Sequence, residues 1–134
     1  MPLLEQVLEH NPDSVKIVLK NMPLNFHKLA VTAALAALSA GNQGKYWEIH
    51  DELFEIPKLS AESIQEVAKK LGLDMAKFQK DMLSPEIKQK LDRDLSDAKD
   101  AGVTGTPTIF INGVKVKTRT LEAMQTLIDE KLGK

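Results

Sequence analysis

The sequence predicts an α/β domain that is rich in helix, with a small mixed sheet and a helical insertion. Three observations carry that expectation. Val15-Lys-Ile-Val-Leu19 has the β-branched density and length of a largely buried strand. Far downstream, Asn112-Gly113 separates Thr108–Ile111 from Val114–Val116, and both turn residues tolerate positive φ, the signature of a two-residue hairpin loop. Between these two features lies a long block of helical periodicity, and a further amphipathic segment closes the chain. The 134 residues suffice for one domain with a substantial core, so the chain is read as a single domain over 1–134 with an insertion over about 42–101.

Each element has a local reason. Leu3, Leu4, Val7 and Leu8 share one face of a short first helix that Asn11-Pro12-Asp13 stops. The strand Val15–Leu19 ends near Asn21-Met22-Pro23. From Asn25 or Phe26 to Ala40 the pattern is alanine-rich and apolar around most of its circumference, which predicts a helix packed on nearly all sides, with Gly41 as its stop. Tyr46, Trp47, Ile49, His50, Leu53 and Phe54 mark a helix over about 45–54, before Pro57. Ser60 caps a helix carrying Ile64, Val67, Ala68 and Leu71, and Gly72 closes it. Asp74 opens a short helix with Met75, Phe78 and Met82. Ser84-Pro85-Glu86 combines a cap, an N1 proline and an acidic first turn, and starts a stripe of Ile87, Leu91, Leu95, Ala98 and Ala101 that runs to Gly102. Thr120 caps the last helix, with Leu121, Met124, Leu127, Ile128 and Leu132 expected to face inward.

Composition narrows the chemistry. Eighteen Lys and Arg nearly balance nineteen Asp and Glu, so the overall field offers nothing to nucleic acid or an anionic membrane, and neither is expected as a partner. The longest apolar run, Leu29–Ala40, falls short of the roughly 20 residues of a spanning helix. Met1-Pro-Leu-Leu-Glu5 has no basic segment ahead of an apolar block, so no export signal is read in this chain, and as given it is expected in the cytoplasm. Cysteine is absent, which removes disulfides, thiolate metal sites and thiol nucleophiles. His10, His27 and His50 share no ligand spacing, and no metal and no cofactor are expected.

Thr104-Gly-Thr-Pro-Thr-Ile-Phe-Ile-Asn-Gly113, with Tyr46–Phe54 (YWEIHDELF) and Leu19–Leu24 (LKNMPL), resembles the DsbA-like branch of the thioredoxin-fold thiol:disulfide oxidoreductases over essentially the whole chain. The resemblance implies a thioredoxin-like fold with a helical insertion. It also implies a cis bond before Pro107 and a backbone at Thr106 that is offered to an extended peptide or protein substrate. It accounts for Pro107 at the mouth of an apolar strand, a place where a residue without an N–H is otherwise out of keeping. The sequence departs from the family in lacking the first strand and the C-x-x-C motif at the start of the first helix, and so resembles a member begun after that motif. Without a thiolate, disulfide exchange is not expected of the chain as given. Full-length relatives are commonly exported or periplasmic.

Other residues invite plainer readings. Trp47 and His50 are expected to pack beside Leu53 and Phe54 rather than to act in catalysis, and His50-Asp51-Glu52 to point to different helical faces. Lys69-Lys70 and the trio Lys115, Lys117 and Arg119 read as solvated surface. Met22, Met75, Met82 and Met124 read as core filling, although a methionine-rich groove also suits unfolded peptides. The functional expectation is a DsbA-like domain, redox-inactive as given, with Thr106 and Pro107 as substrate-binding residues. The alternatives are a non-redox peptide-binding module, and a related thioredoxin-fold isomerase or glutathione transferase. Loss of a central strand exposes inner sheet edges, so a homodimer formed by element exchange is also expected.

Overall fold

The computed structural model describes residues 2–23 and 28–134. The order of elements is α1 (Pro2–His10), α2 (Lys28–Gly41), α3 (Tyr46–Glu55), α4 (Ala61–Lys70), α5 (Met75–Met82), α6 (Pro85–Asp100), β1 (Phe110–Ile111), β2 (Val114–Lys115) and α7 (Leu121–Lys131). The expected start of the second helix at Asn25 or Phe26, and His27, lie outside the described residues. The chain divides into two compact units: one is Lys20–Gly102, and the other joins Met1–Leu19 to Val103–Lys134.

The Lys20–Gly102 unit is helical throughout its regular elements. Its centre is α2, whose alanines bring other helices close: Ala36, Ala37 and Ala40 are buried with Ile49, Ile64, Val67, Ala68, Leu73 and Phe78. α2 packs against α3, α4, α5 and α6. The expectation of a helix surrounded on most sides therefore holds, and α2 belongs to the same packing unit as the insertion helices. The three downstream helices begin at side-chain caps: Ser60 accepts from Ser63 N–H, Asp74 from Lys77 N–H and Ser84 from Ile87 N–H. The α6 stripe is deeply buried only at Ile87 and Leu91, and its last member, Ala101, is exposed.

The other unit is built on α1, α7 and the hairpin. Val7, Met124 and Ile128 are buried together, and Leu3, Leu4, Val15, Ile109, Ile111, Val116 and Leu121 pack around them. The hairpin is antiparallel, pairing Phe110 with Lys115 and Ile111 with Val114. Val116 N–H adds a bond to Ile109 C=O at 2.8 Å. Asn112 and Gly113 have φ of 46° and 83°, the paired positive values of a type I′ turn.

Two expectations need correction. Among the described residues the sheet is this antiparallel hairpin alone and is not mixed, because Val15–Leu19 is not a strand. That stretch keeps the period-two burial of a strand: Val15, Ile17 and Leu19 are half-buried while Lys16 and Val18 are exposed. What it lacks is a ladder, since β1 and β2 pair only with each other. Leu132 is 42% exposed rather than inward, because α7 ends at Lys131 and the cap at Leu132 has left the buried stripe.

Candidate functional site

The sequence-predicted residues Thr106 and Pro107 lie just ahead of β1, outside the ladder, and both are exposed. The peptide bond joining them is cis. Two side chains fix the segment around that bond. Thr108 Oγ1 donates to Gly105 C=O at 2.7 Å, closing a four-residue turn with Thr106-Pro107 at its centre. From beyond the hairpin, Arg119 Nη1 donates to Pro107 C=O at 3.2 Å. Downstream, Ile109, Ile111 and Val116 hold the hairpin on the Val7–Met124–Ile128 core, so the mouth is set on a packed base.

Between the bonded carbonyls of Gly105 and Pro107 lies Thr106, whose main chain is open. Its N–H and C=O make no hydrogen bond among the described residues. A methyl group added at Gly105 would meet nothing within 4 Å, so the neighbouring space is free. An unpaired donor and acceptor on one exposed residue, beside a proline that cannot donate, can pair with one residue of an extended chain.

The charge along the chain from Val103 to Thr120 is one-sided, between Asp100 on one side and Glu122 on the other. Val103–Thr120 holds Lys115, Lys117 and Arg119 and no carboxylate. All three cations are exposed, and none forms an ion pair among the described residues. The nucleophile inventory is poor: there is no cysteine, and Ser39 is completely buried in α2. No group of His, Asp and Glu among the described residues could hold a metal ion. Among those residues, no helix is long and apolar enough to cross a membrane.

Other sequence-predicted residues fall elsewhere. Trp47 and Phe54 are 45% and 71% exposed, which corrects their reading as packing residues: α3 turns Ile49 to the core, with Tyr46 and Leu53 packed beside it. The rings instead form a ladder on the helix surface, with Trp47 and Phe54 centroids 5.5 and 4.8 Å from that of His50. His50 also reaches the adjacent Asp51, Nδ1 to Oδ1 3.2 Å, despite the angular separation of neighbours on a helix. Met124 is fully in the core, while Met22, Met75 and Met82 are only half-buried.

Two features escaped sequence reasoning. One is the Arg119 to Pro107 tie. The other is a reciprocal amide pair in the same unit: Asn11 Nδ2 donates to Gln125 Oε1 at 2.7 Å, and Gln125 Nε2 donates to Asn11 Oδ1 at 2.9 Å. Nothing local marks either contact, because each depends on where distant segments meet.

The hairpin packs on α1 and α7 in a chain that also carries a helical unit, and comparison with known proteins places the chain in the thioredoxin-like class of the DsbA type. A family model for the DSBA-like thioredoxin domain matches residues 12–129, and the chain belongs to that family. A solved thioredoxin-like oxidoreductase from Silicibacter pomeroyi superposes with a TM-score of 0.88 at 25% identity, covering 100% of this chain and 78% of that one. A Na(+)/H(+) antiporter NhaA of Herminiimonas arsenicoxydans is 33% identical over 109 residues, 81% of this chain but 17% of the antiporter. A probable disulfide bond formation protein D of Bacillus anthracis is 29% identical over 110 residues, covering 76% of this chain and 50% of that protein. The chain thus spans about a sixth of the antiporter and half of the disulfide protein. With no cysteine, it supplies no thiolate of its own for disulfide exchange.

Proposed function

We propose that this chain holds extended peptides without performing redox chemistry, through the main chain of Thr106 beside Pro107. The observation that carries the reading is that the N–H and C=O of Thr106, an exposed residue, have no partner among the described residues, next to open space at Gly105 and with Thr108 and Arg119 tying the segment on both sides. Affinity would come from backbone pairing, with side chains supplying selectivity. The test is amide hydrogen exchange during titration with an unstructured, alternating Thr/Val peptide. Thr106 N–H should become protected, and a peptide methylated on its backbone nitrogens, which cannot donate to Thr106 C=O, should bind more weakly. Peptide binding that leaves Thr104–Thr108 unaltered would refute the assignment.

The competing reading is an oxidoreductase whose C-x-x-C motif lies outside these 134 residues. It keeps the same peptide surface and differs only in where sulfur comes from; the upstream coding DNA decides between the two. The isomerase or transferase alternative would need a thiol-cofactor pocket, for which no observation speaks.

A second reading concerns assembly. Val15–Leu19 has alternating burial, no ladder and a Val18 that is 70% exposed, so it resembles a strand awaiting a partner. Pairing with a second copy by element exchange would satisfy it. Light scattering over a wide dilution range should then show a concentration-dependent dimer, and a monomer throughout would remove this reading.

A further inference from the structure

Arg119 has a bond to Pro107 C=O through one nitrogen, and that bond uses one of its five N–H donors. No other bond of its guanidinium occurs among the described residues, and the side chain is exposed. The tie therefore holds a charged fork one residue from the open main chain of Thr106. A guanidinium in this position suits a carboxylate, which it can engage through two parallel bonds. Lys115 on β2 and Lys117 precede it at two-residue spacing, are likewise exposed and without ion pairs among the described residues, and no acidic residue interrupts Val103–Thr120. Lysines on a strand also discourage edge-to-edge aggregation. That role explains Lys115 and Lys117 but not an arginine bonded to the carbonyl of the site's proline.

We propose that the Thr106-Pro107 site selects acidic extended peptides, with Arg119 as the residue that reads a peptide carboxylate and Lys115 and Lys117 as the field that favours its approach. The inference rests on the peptide-holding reading above and adds the class of peptide. Direct pairing with Arg119 is short-range, whereas the lysine contribution is screened by salt.

The experiment is fluorescence anisotropy with the full chain and three labelled peptides of one alternating Thr/Val pattern, carrying Glu, Gln or Lys at the same positions. The Glu peptide should bind tightest, and its advantage should shrink between about 0.1 M and 1 M salt, where the screening length falls from about 10 Å to about 3 Å. Arg119→Gln should cut the ratio of Glu-peptide to Gln-peptide affinity by roughly two- to five-fold, the effect of one exposed charge pair, over and above any weakening common to all three peptides from loss of the tie to Pro107 C=O. Arg119→Glu should reverse the order in favour of the Lys peptide. Equal binding of all three peptides by the unaltered chain would overturn the selectivity and leave the peptide-holding reading intact. Equal weakening of all three by Arg119→Gln would make Arg119 a structural tie only and overturn its role. Binding of none would remove the underlying reading itself.

Discussion

The Asn11–Gln125 pair can be broken one side at a time. Each amide has two N–H groups, and all four are used: Asn11 Nδ2 donates to Val7 C=O at 2.8 Å and to Gln125 Oε1 at 2.7 Å, while Gln125 Nε2 donates to Asn11 Oδ1 and to Asp129 Oδ1, both at 2.9 Å. Asn11 is only 5% exposed, so water does not replace a lost partner easily. At about 0.5–1.5 kcal/mol net per bond, Asn11→Ala, which loses three bonds, should cost about 2–3 kcal/mol. Gln125→Ala also loses three bonds, two to Asn11 and one to Asp129, and should likewise cost about 2–3 kcal/mol, with Asn11 keeping only its bond to Val7 C=O. The two residues share two bonds, so the double variant should be less destabilised than the sum of the singles by about 1–2 kcal/mol. The assay is urea unfolding followed by far-ultraviolet circular dichroism, with amide exchange on α1 and α7 as the local readout, since two compact units need not unfold together. Additive single effects, within about 0.3 kcal/mol, would refute the reasoning.

The remaining expectations are simpler. Ser39 is 0% exposed and its Oγ has no partner among the described residues, so Ser39→Ala should raise stability by about 1–2 kcal/mol in urea unfolding; a loss would show that the hydroxyl has a partner in solution. The Lys77 ammonium, 2.6 Å away, and the Asn42 amide, 3.2 Å away, hold the Asp81 carboxyl below its ordinary 3.8. A carboxyl depressed in the folded state contributes stability above its unfolded value, and that contribution is lost as pH falls through the folded value, so Asp81→Asn should flatten the acid limb of stability below about pH 4 and an unchanged limb would count against it. In an insulin-reduction assay the purified chain should stay at background, and measurable turnover would require a sulfur nucleophile that the sequence does not contain.

Helix boundaries were legible because caps are local: Ser60, Asp74, Ser84 and Thr120 each accept from the N–H three residues on, as the sequence spacing predicts. The Asn112-Gly113 turn was legible for the same reason, since two consecutive residues decide it. The pairing of Val15–Leu19 was not, because β-branching and alternation specify an extended, half-buried segment but not the neighbour that completes a ladder. The exposure of Trp47 and Phe54 was also illegible. The pattern of α3 is apolar on more than one face, and only the positions of α2 and α4 select Ile49 as the buried residue. At the candidate site Thr106 and Pro107 were marked by their motif, whereas Arg119 is twelve residues beyond the carbonyl it binds and read as plain surface charge.

Holding a peptide and exchanging its disulfides make separable demands on a chain. Exchange needs one kind of atom, sulfur, and this chain has none in cysteine form. Main-chain recognition needs only an open donor and acceptor held in place, and here the holding comes from packing: Ile109, Ile111 and Val116 seat the hairpin on the same Val7–Met124–Ile128 core that the Asn11–Gln125 pair ties together. Damage to that core should therefore reach the Thr106 site, whereas a change confined to α2 should not. Asn11→Ala should weaken peptide binding at temperatures where the protein is still folded, because a looser α1–α7 base lets the mouth sample geometries that do not pair. Ser39→Ala should alter stability and leave peptide affinity as it was. Anisotropy titrations of both variants against the same peptide compare them directly. Equal affinities for Asn11→Ala and the unaltered chain would mean that the Thr108 and Arg119 bonds alone hold the mouth, and the core would lose its place in the account of binding.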